Sequence, residues 1–175
     1  VDPEEVEVLS KLHEQSPEIA QGVDSDDASE QGAGDQGLMF GFACKETPEL
    51  MPLPIQIAHR LTERLTILRK EGTLPWLRPD GKSQVSVKYD GTLPISIEKT
   101  VIATQHDDML NKYGNEDSEL EFVKSQVVKN VIRPVLDSYG CAYEENFIVN
   151  GTGRFVYGGP EADTGLTGRK IIVDT

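Results

Sequence analysis

The sequence has 175 residues, with 30 Asp and Glu against 17 Lys and Arg, and a formal net charge of −13. An acidic balance offers no general attraction for nucleic acid or anionic membrane, and no apolar run approaches the roughly 20 residues of a membrane-spanning helix. Cys44 and Cys141 show no spacing typical of disulfide frameworks or zinc sites. We therefore expect a soluble, cytoplasmic protein that binds neither nucleic acid nor membrane.

The negative charge is concentrated at the beginning of the chain. Residues 1–35 contain eleven acidic side chains and one Lys, and so carry −10 of the total. The sequence begins with Val1 and ends directly after an apolar run, residues 170–173, where a polar tail or a docked helix is more usual. We expect the chain to be a fragment of a longer polypeptide.

The first third of the chain predicts little regular structure. Residues 6–12 fit either a strand, from an imperfect alternation, or a helix capped by Asp2. Residues 15–34 are rich in Ser, Asp, Glu and Gly and predict a solvent-facing loop, which would serve as a linker or a lid. The apolar run at 38–44 predicts a buried strand.

A helix and a hairpin follow. Residues 54–71 carry apolar side chains at helical spacing and end at Gly72, which predicts an amphipathic helix. Apolar residues then alternate with polar ones on either side of Asp90-Gly91, a strong hairpin turn signal.

The last third of the chain predicts a second helix and more strands. This helix is expected from Ser118 to Ile132, with a capping box formed by Ser118 and Glu121, and is expected to end before Pro134. Residues 147–149 predict a strand, and dense glycines follow. The order predicts an α+β fold, a mostly antiparallel sheet with helices on one face.

Four segments could carry chemistry, and each has an ordinary structural alternative. Residues 163–170 end in two adjacent cations after two glycines, a pattern as typical of an anion site as of a solvated turn. Residues 78–82 could present Asp80 and Lys82 on a tight turn or simply begin a hairpin. Arg154-Phe155 could bind a nucleotide or pack in a strand. In residues 32–37, the Asp35 carboxylate could meet an ammonium group or a metal ion, but the pattern favours a turn.

Three long motifs resemble one family. They occupy residues 32–43 (GAGDQGLMFGFA), residues 72–85 (GTLPWLRPDGKSQV) and residues 153–175, where GRFVYGGP precedes DTGLTGRKIIVDT. In this order they closely resemble the S-adenosylmethionine synthetase (methionine adenosyltransferase) family over essentially the whole chain. Two positions depart from its common pattern, because Gly151 stands where Pro is usual and Gly81 where Ala or Ser is usual.

The resemblance implies an architecture of three similar α+β domains around a pseudo-threefold axis. Residues 1–46 would end the N-terminal domain and include a mobile active-site loop at about 15–27, and residues 47–175 would form most of the central domain. The implied activity is that of a methionine adenosyltransferase, which makes S-adenosylmethionine from ATP and L-methionine and releases phosphate and pyrophosphate. Mg²⁺ and K⁺ are the implied cofactors, and the implied assembly is a homodimer or dimer of dimers with active sites between subunits.

The resemblance also implies roles for individual residues. ATP contacts are expected from Asp80, Gly81, Lys82, Arg154, Phe155, Asp163, Arg169 and Lys170, methionine contacts from Gln15, Asp35 and Asp163, and catalytic roles for Asp35, Lys82, Arg169 and Lys170. No metal ligand is assigned within this chain. Since the family's N- and C-terminal active-site segments are absent from this sequence, an alternative is an ATP-binding or assembly module without turnover of its own.

Overall fold

The computed structural model describes residues 4–34 and 37–163. The chain divides into two compact units, Val1–Phe42 and Ala43–Thr175. The predicted site residues Asp35, Arg169 and Lys170 lie outside the described residues, as does the apolar run near the end of the chain.

Among its described residues, the first unit contains one short α-helix. Helix α1, Pro17–Val23, begins at a proline directly after Ser16, and a single turn of 3₁₀ helix, Ala28–Glu30, follows. The prediction of an irregular loop over 15–34 is therefore wrong for these two stretches, because proline at the first helical position favours a helix start. Residues 6–12, for which strand and helix were both open, form neither.

The apolar run at 38–44 is not a buried strand, which corrects that prediction. Its first side chains lie in solvent, with Phe40 89% exposed. A continuous apolar run forms a buried strand only when neighbouring strands cover it on both sides. No strand in the described part of the chain pairs with it.

Helix α2, Leu53–Lys70, confirms the first helix prediction to within one residue at each end. Gly72 has a positive φ of 74° just beyond the helix, the conformation that glycine adopts at helix ends without steric cost. The core face of α2 carries the buried residues Leu53, Ile57, Ala58, Leu61, Leu65 and Leu68. No helix in the described ranges is long and apolar enough to cross a membrane.

The sheet is built on a long hairpin. Strands β1, Leu77–Asp90, and β2, Leu93–His106, pair antiparallel around a turn at Gly91, as predicted. Strands β3, Ala142–Tyr143, and β4, Phe147–Val149, are short and both run parallel to β2. The α+β fold with a mostly antiparallel, mixed sheet is thus confirmed, and α2 packs against β1.

The second predicted helix is longer than expected. After a single turn, α3 (Leu110–Tyr113), helix α4 spans Glu116–Val127 and continues through a π-helical turn, Val128–Ile132, into α5, Arg133–Tyr139. Pro134 therefore does not end it. The wider π turn accommodates the proline, and the guanidinium Nε of Arg64 donates to the Asn130 carbonyl at 3.3 Å, the acceptor that Pro134 cannot serve.

The N-cap of α4 also differs from the prediction. The side-chain oxygen of Asn115 accepts a hydrogen bond from the Ser118 backbone N–H at 2.9 Å, so Asn115 caps the helix. Ser118 lies three residues inside the helical segment. The predicted capping box of Ser118 and Glu121 is therefore wrong, and the helix is capped three residues earlier, at Asn115.

Candidate functional site

The segment that carries Asp80 and Lys82 forms a bulge at one end of β1. The register passes from Leu77 opposite His106 to Gly81 opposite Thr104, so three residues of β1, 78–80, lie opposite Gln105 alone. Pro79 has no N–H for the ladder, which favours such an irregularity inside a strand. Of the two alternatives for residues 78–82, the structure shows the start of a hairpin, with a bulge in it, and not a tight turn.

The bulge is joined to the loop after β4. The carboxylate Oδ2 of Asp80 accepts a hydrogen bond from the Gly159 N–H at 2.7 Å. Gln105 lies between the two segments, because its Oε1 accepts from the Asp80 N–H at 3.4 Å and its Nε2 donates to the Val156 carbonyl at 2.9 Å. The structure therefore brings the Asp80 segment and the Arg154–Phe155 segment together, as the sequence could not.

Gly81 and Lys82 face opposite sides of the sheet. A Cβ on Gly81 would lie 3.7 Å from a Leu65 side-chain carbon of α2 and 3.3 Å from the Ala103 carbonyl oxygen. Since side chains alternate along a strand, Lys82 projects from the other face, which we call the far face. Lys82 is exposed there, beside Ala103 on β2. The ammonium group is thus available to a ligand on the far face.

Arg154 is held by two carboxylates. Its Nε donates to Glu119 at 2.6 Å and one terminal nitrogen donates to Asp108 at 2.7 Å. The other Glu119 oxygen accepts from the Met109 N–H at 2.6 Å. Glu119 on α4 thereby fixes the place of Arg154, and the pKa of the guanidinium is raised chiefly by this hydrogen bond.

Phe155 is fixed through its backbone. The Phe155 carbonyl accepts from the His106 N–H at 2.9 Å, and the Phe155 N–H donates to His106 Nε2 at 3.3 Å. The His106 Nδ1 lies 2.8 Å from the Asp107 carbonyl, which requires the proton on Nδ1 and leaves Nε2 as an acceptor. His106 therefore holds Phe155 at two points, through its backbone N–H and through its ring.

We expect the ion pair of Glu119 to make stability depend on pH. Burial alone would raise the pKa of the Glu119 carboxyl, but hydrogen bonds from Arg154 and the Met109 N–H outweigh it and hold the pKa below its usual 4.5. A depressed pKa stabilises the fold above pH 4.5, and this contribution is lost as pH falls through the folded-state pKa.

Urea unfolding of the chain and of Glu119→Gln over a pH series measures this contribution. We expect the variant to unfold at lower urea near neutral pH, and the difference to shrink as pH falls below about 4.5. Glu121→Gln, on the exposed side of the same helix, is the control and should leave the midpoint unchanged. A difference that grows on acidification contradicts the assignment.

Two further predicted site residues, Gln15 and Asp163, are among the described residues. Gln15 belongs to the first unit, and Asp163 lies four residues beyond Gly159, whose carbonyl accepts from the Asp163 N–H at 2.9 Å. A cavity beside Asp80 and Gly81 has a volume of about 50 Å³, room for little more than water. By itself, this cavity is too small for a ligand of nucleotide size.

The comparisons with known proteins agree with the motifs. A family model described as the S-adenosylmethionine synthetase central domain matches residues 30–155. The chain belongs to the S-adenosylmethionine synthetase family. Proteins named S-adenosylmethionine synthase from Crocosphaera subtropica and Helicobacter hepaticus are 53% identical over 180 residues and 54% identical over 168 residues, respectively. The predicted family is thus confirmed.

The two relatives are longer than this chain. Each alignment covers 96% of the chain, but 43% of the Crocosphaera protein and 41% of the Helicobacter protein. The chain spans about two fifths of the length of the curated S-adenosylmethionine synthases it matches.

Sequence reasoning missed the residues that position the family motifs. They are Gln105, His106, Asp108 and Glu119. His106 and Glu119 are buried polar residues, which the alternation of β2 and the helical period of α4 could have placed on core faces. Which partner each one meets depends on long-range packing, and no local pattern reports it. Among the described residues, no group of three or more His, Cys, Asp or Glu side chains could hold a metal ion.

Proposed function

We propose that this chain supplies part of a methionine adenosyltransferase, which transfers the adenosyl group of ATP to L-methionine. The observation that carries the proposal is the 53–54% identity to two S-adenosylmethionine synthases over 96% of the chain. Residues 1–46 are proposed to end an N-terminal domain, with the active-site loop at about 15–27, and residues 47–175 to form most of the central one. The central domain, residues 47–175, would carry the polyphosphate-binding residues.

The proposed reaction needs no protein nucleophile. The thioether sulfur of methionine attacks C5′ of the ribose, the C5′–O bond breaks, and triphosphate leaves before its hydrolysis to phosphate and pyrophosphate. Catalysis then rests on holding the two substrates in line and on stabilising the charge that develops on the leaving triphosphate. The cationic side chains Lys82, Arg169 and Lys170 are proposed for the second task.

The geometry around Asp80 supports a role for this segment in ATP binding. The Asp80 carboxylate accepts from the Gly159 N–H at 2.7 Å, the Gln105 side-chain oxygen accepts from the Asp80 N–H at 3.4 Å, and Lys82, two positions further along β1, is exposed. A bulge held by these hydrogen bonds beside an exposed ammonium is suited to bind a polyphosphate. Asp80, Gly81, Lys82, Arg154, Phe155, Asp163, Arg169 and Lys170 are the proposed ATP contacts.

For methionine, we propose Gln15, Asp35 and Asp163 as contacts. A carboxylate suits the amino group of the substrate, and Asp35 is proposed to meet it directly. Mg²⁺ and K⁺ are proposed as the cofactors of the whole protein, and no residue of this chain is assigned to either ion. A cytoplasmic homo-oligomer, dimer or dimer of dimers, with active sites between subunits, is the proposed assembly.

A hybrid protein tests the function. In the hybrid, this chain replaces the matching 168-residue segment of the Helicobacter hepaticus S-adenosylmethionine synthase. Incubation with ATP, L-methionine, Mg²⁺ and K⁺ should yield S-adenosylmethionine, phosphate and pyrophosphate. A folded hybrid that assembles like the parent enzyme but forms no product contradicts the proposal.

The alternative, a nucleotide-binding or assembly module without turnover, is consistent with the two-fifths coverage of the relatives. An assay of the 175-residue chain alone distinguishes the enzyme from the module. Formation of S-adenosylmethionine by this chain alone excludes the module. ATP binding without product by the chain, together with an inactive hybrid, favours it.

A further inference from the structure

We infer that Gln105 is a positioning residue for the ATP site, a role that rests on the function proposed above. Gln105 is the single β2 residue opposite the three-residue bulge of β1. A bulge leaves ladder groups without strand partners, and here one side-chain amide supplies the missing contact. Gln105 thus fills a defined gap between two segments that both carry proposed ATP contacts.

The two hydrogen bonds of Gln105 have opposite polarity and different destinations. Its oxygen accepts from the Asp80 N–H, and its nitrogen donates to the Val156 carbonyl. A side-chain amide can do both, whereas a carboxylate has no donor and an ammonium has no acceptor. Asp80 begins the segment with Gly81 and Lys82, and Val156 directly follows Phe155, so Gln105 sets the separation of the two proposed ATP-binding segments.

The neighbouring loop is shaped to this amide. A Cβ on Gly158 would lie 2.9 Å from the Gln105 amide carbon and 3.0 Å from the Asp80 carboxylate. No side chain fits in that space without displacing one of the two groups. Gly159 N–H then reaches the Asp80 carboxylate at 2.7 Å, so the loop meets Gln105 and Asp80 at adjacent residues.

The test uses Gln105→Met in the hybrid protein, which keeps the side-chain length and removes both hydrogen-bonding groups. We expect the KM for ATP to rise about tenfold, while the KM for methionine changes less than about twofold. Gln84→Met is the matched control, because Gln84 is exposed and shares the far face with Lys82. It should leave both constants unchanged.

A double-mutant cycle separates positioning from general damage. The cycle combines Gly158→Ala with a second variant, Gln105→Ala, which removes the amide that a Cβ on Gly158 would meet at 2.9 Å. Gly158→Ala alone should raise the KM for ATP in the hybrid, and the increase should be smaller in the Gln105→Ala background, since both changes disturb the same contact between Gln105 and the loop. Equal increases in both KM values, or independent effects of the two changes, overturn the inference. If the unmodified hybrid has no activity, the proposed function is contradicted instead. In that case urea unfolding still tests the inference, because an unchanged midpoint for Gln105→Met would show that Gln105 does not hold the two segments together.

Discussion

Replacement of Asn150 by Ala is expected to lower the free energy of unfolding by about 3 kcal/mol. The Asn150 side chain extends the β4 ladder by one residue: its oxygen accepts from the Thr104 N–H at 2.8 Å, and its nitrogen donates to the Thr104 carbonyl at 3.0 Å. Asn150 is 5% exposed, so the alanine variant leaves two buried backbone groups without partners. Alanine is also disfavoured at the positive φ of 47° that Asn150 adopts.

Urea unfolding of the chain measures this loss, and two variants identify its cause. Asn146→Ala, at an exposed position before β4, should change stability by less than about 0.5 kcal/mol. Asn150→Gly removes the amide, but glycine tolerates the positive φ. This variant should therefore be more stable than Asn150→Ala and less stable than the unmodified chain. If Asn150→Ala unfolds at the same urea concentration as the chain, the amide does not complete the ladder.

The elements that sequence could predict are those with a strong local signal. Helix α2 has its apolar stripe and a C-terminal glycine, and the hairpin of β1 and β2 has Asp90-Gly91 between alternating residues. Where a distant contact decides the structure, local patterns fail. The π turn before Pro134 depends on packing that includes Arg64, and the run 38–44 needs neighbouring strands that the described chain does not provide.

The candidate site divides in the same way. Local motifs indicate the chemically distinctive segments, such as the Asp80 segment and Arg154–Phe155. They could not show that Pro79 lies in a bulge or that Gln105 fills it, because these facts depend on the register of two long strands. Nor could they show that Arg154 is held by Glu119, which is 35 residues away in sequence. The sequence therefore predicts which chemical groups belong to the candidate site, but not how they are arranged in space.

Lys82→Ala is expected to lower kcat/KM for ATP about 100-fold or more in the hybrid protein, as loss of one preorganised charge-stabilising group does in other enzymes. Lys82 is exposed on the far face and no described contact of the fold depends on it. The urea midpoint should therefore stay unchanged, which assigns the loss to the reaction and not to folding. Lys82→Arg restores the charge but not the compact ammonium, so it should recover activity only in part.

Lys88→Ala is the matched control for Lys82. Lys88 is exposed on the same strand and the same face, six residues or about 20 Å further along it. The two alanine variants remove the same charge, so if Lys82 acted only through the protein's overall electrostatic field, both variants would lose activity equally. A local contact with the leaving triphosphate predicts that Lys88→Ala keeps kcat/KM within about twofold. Equal losses, or full activity of Lys82→Ala, contradict the role of Lys82.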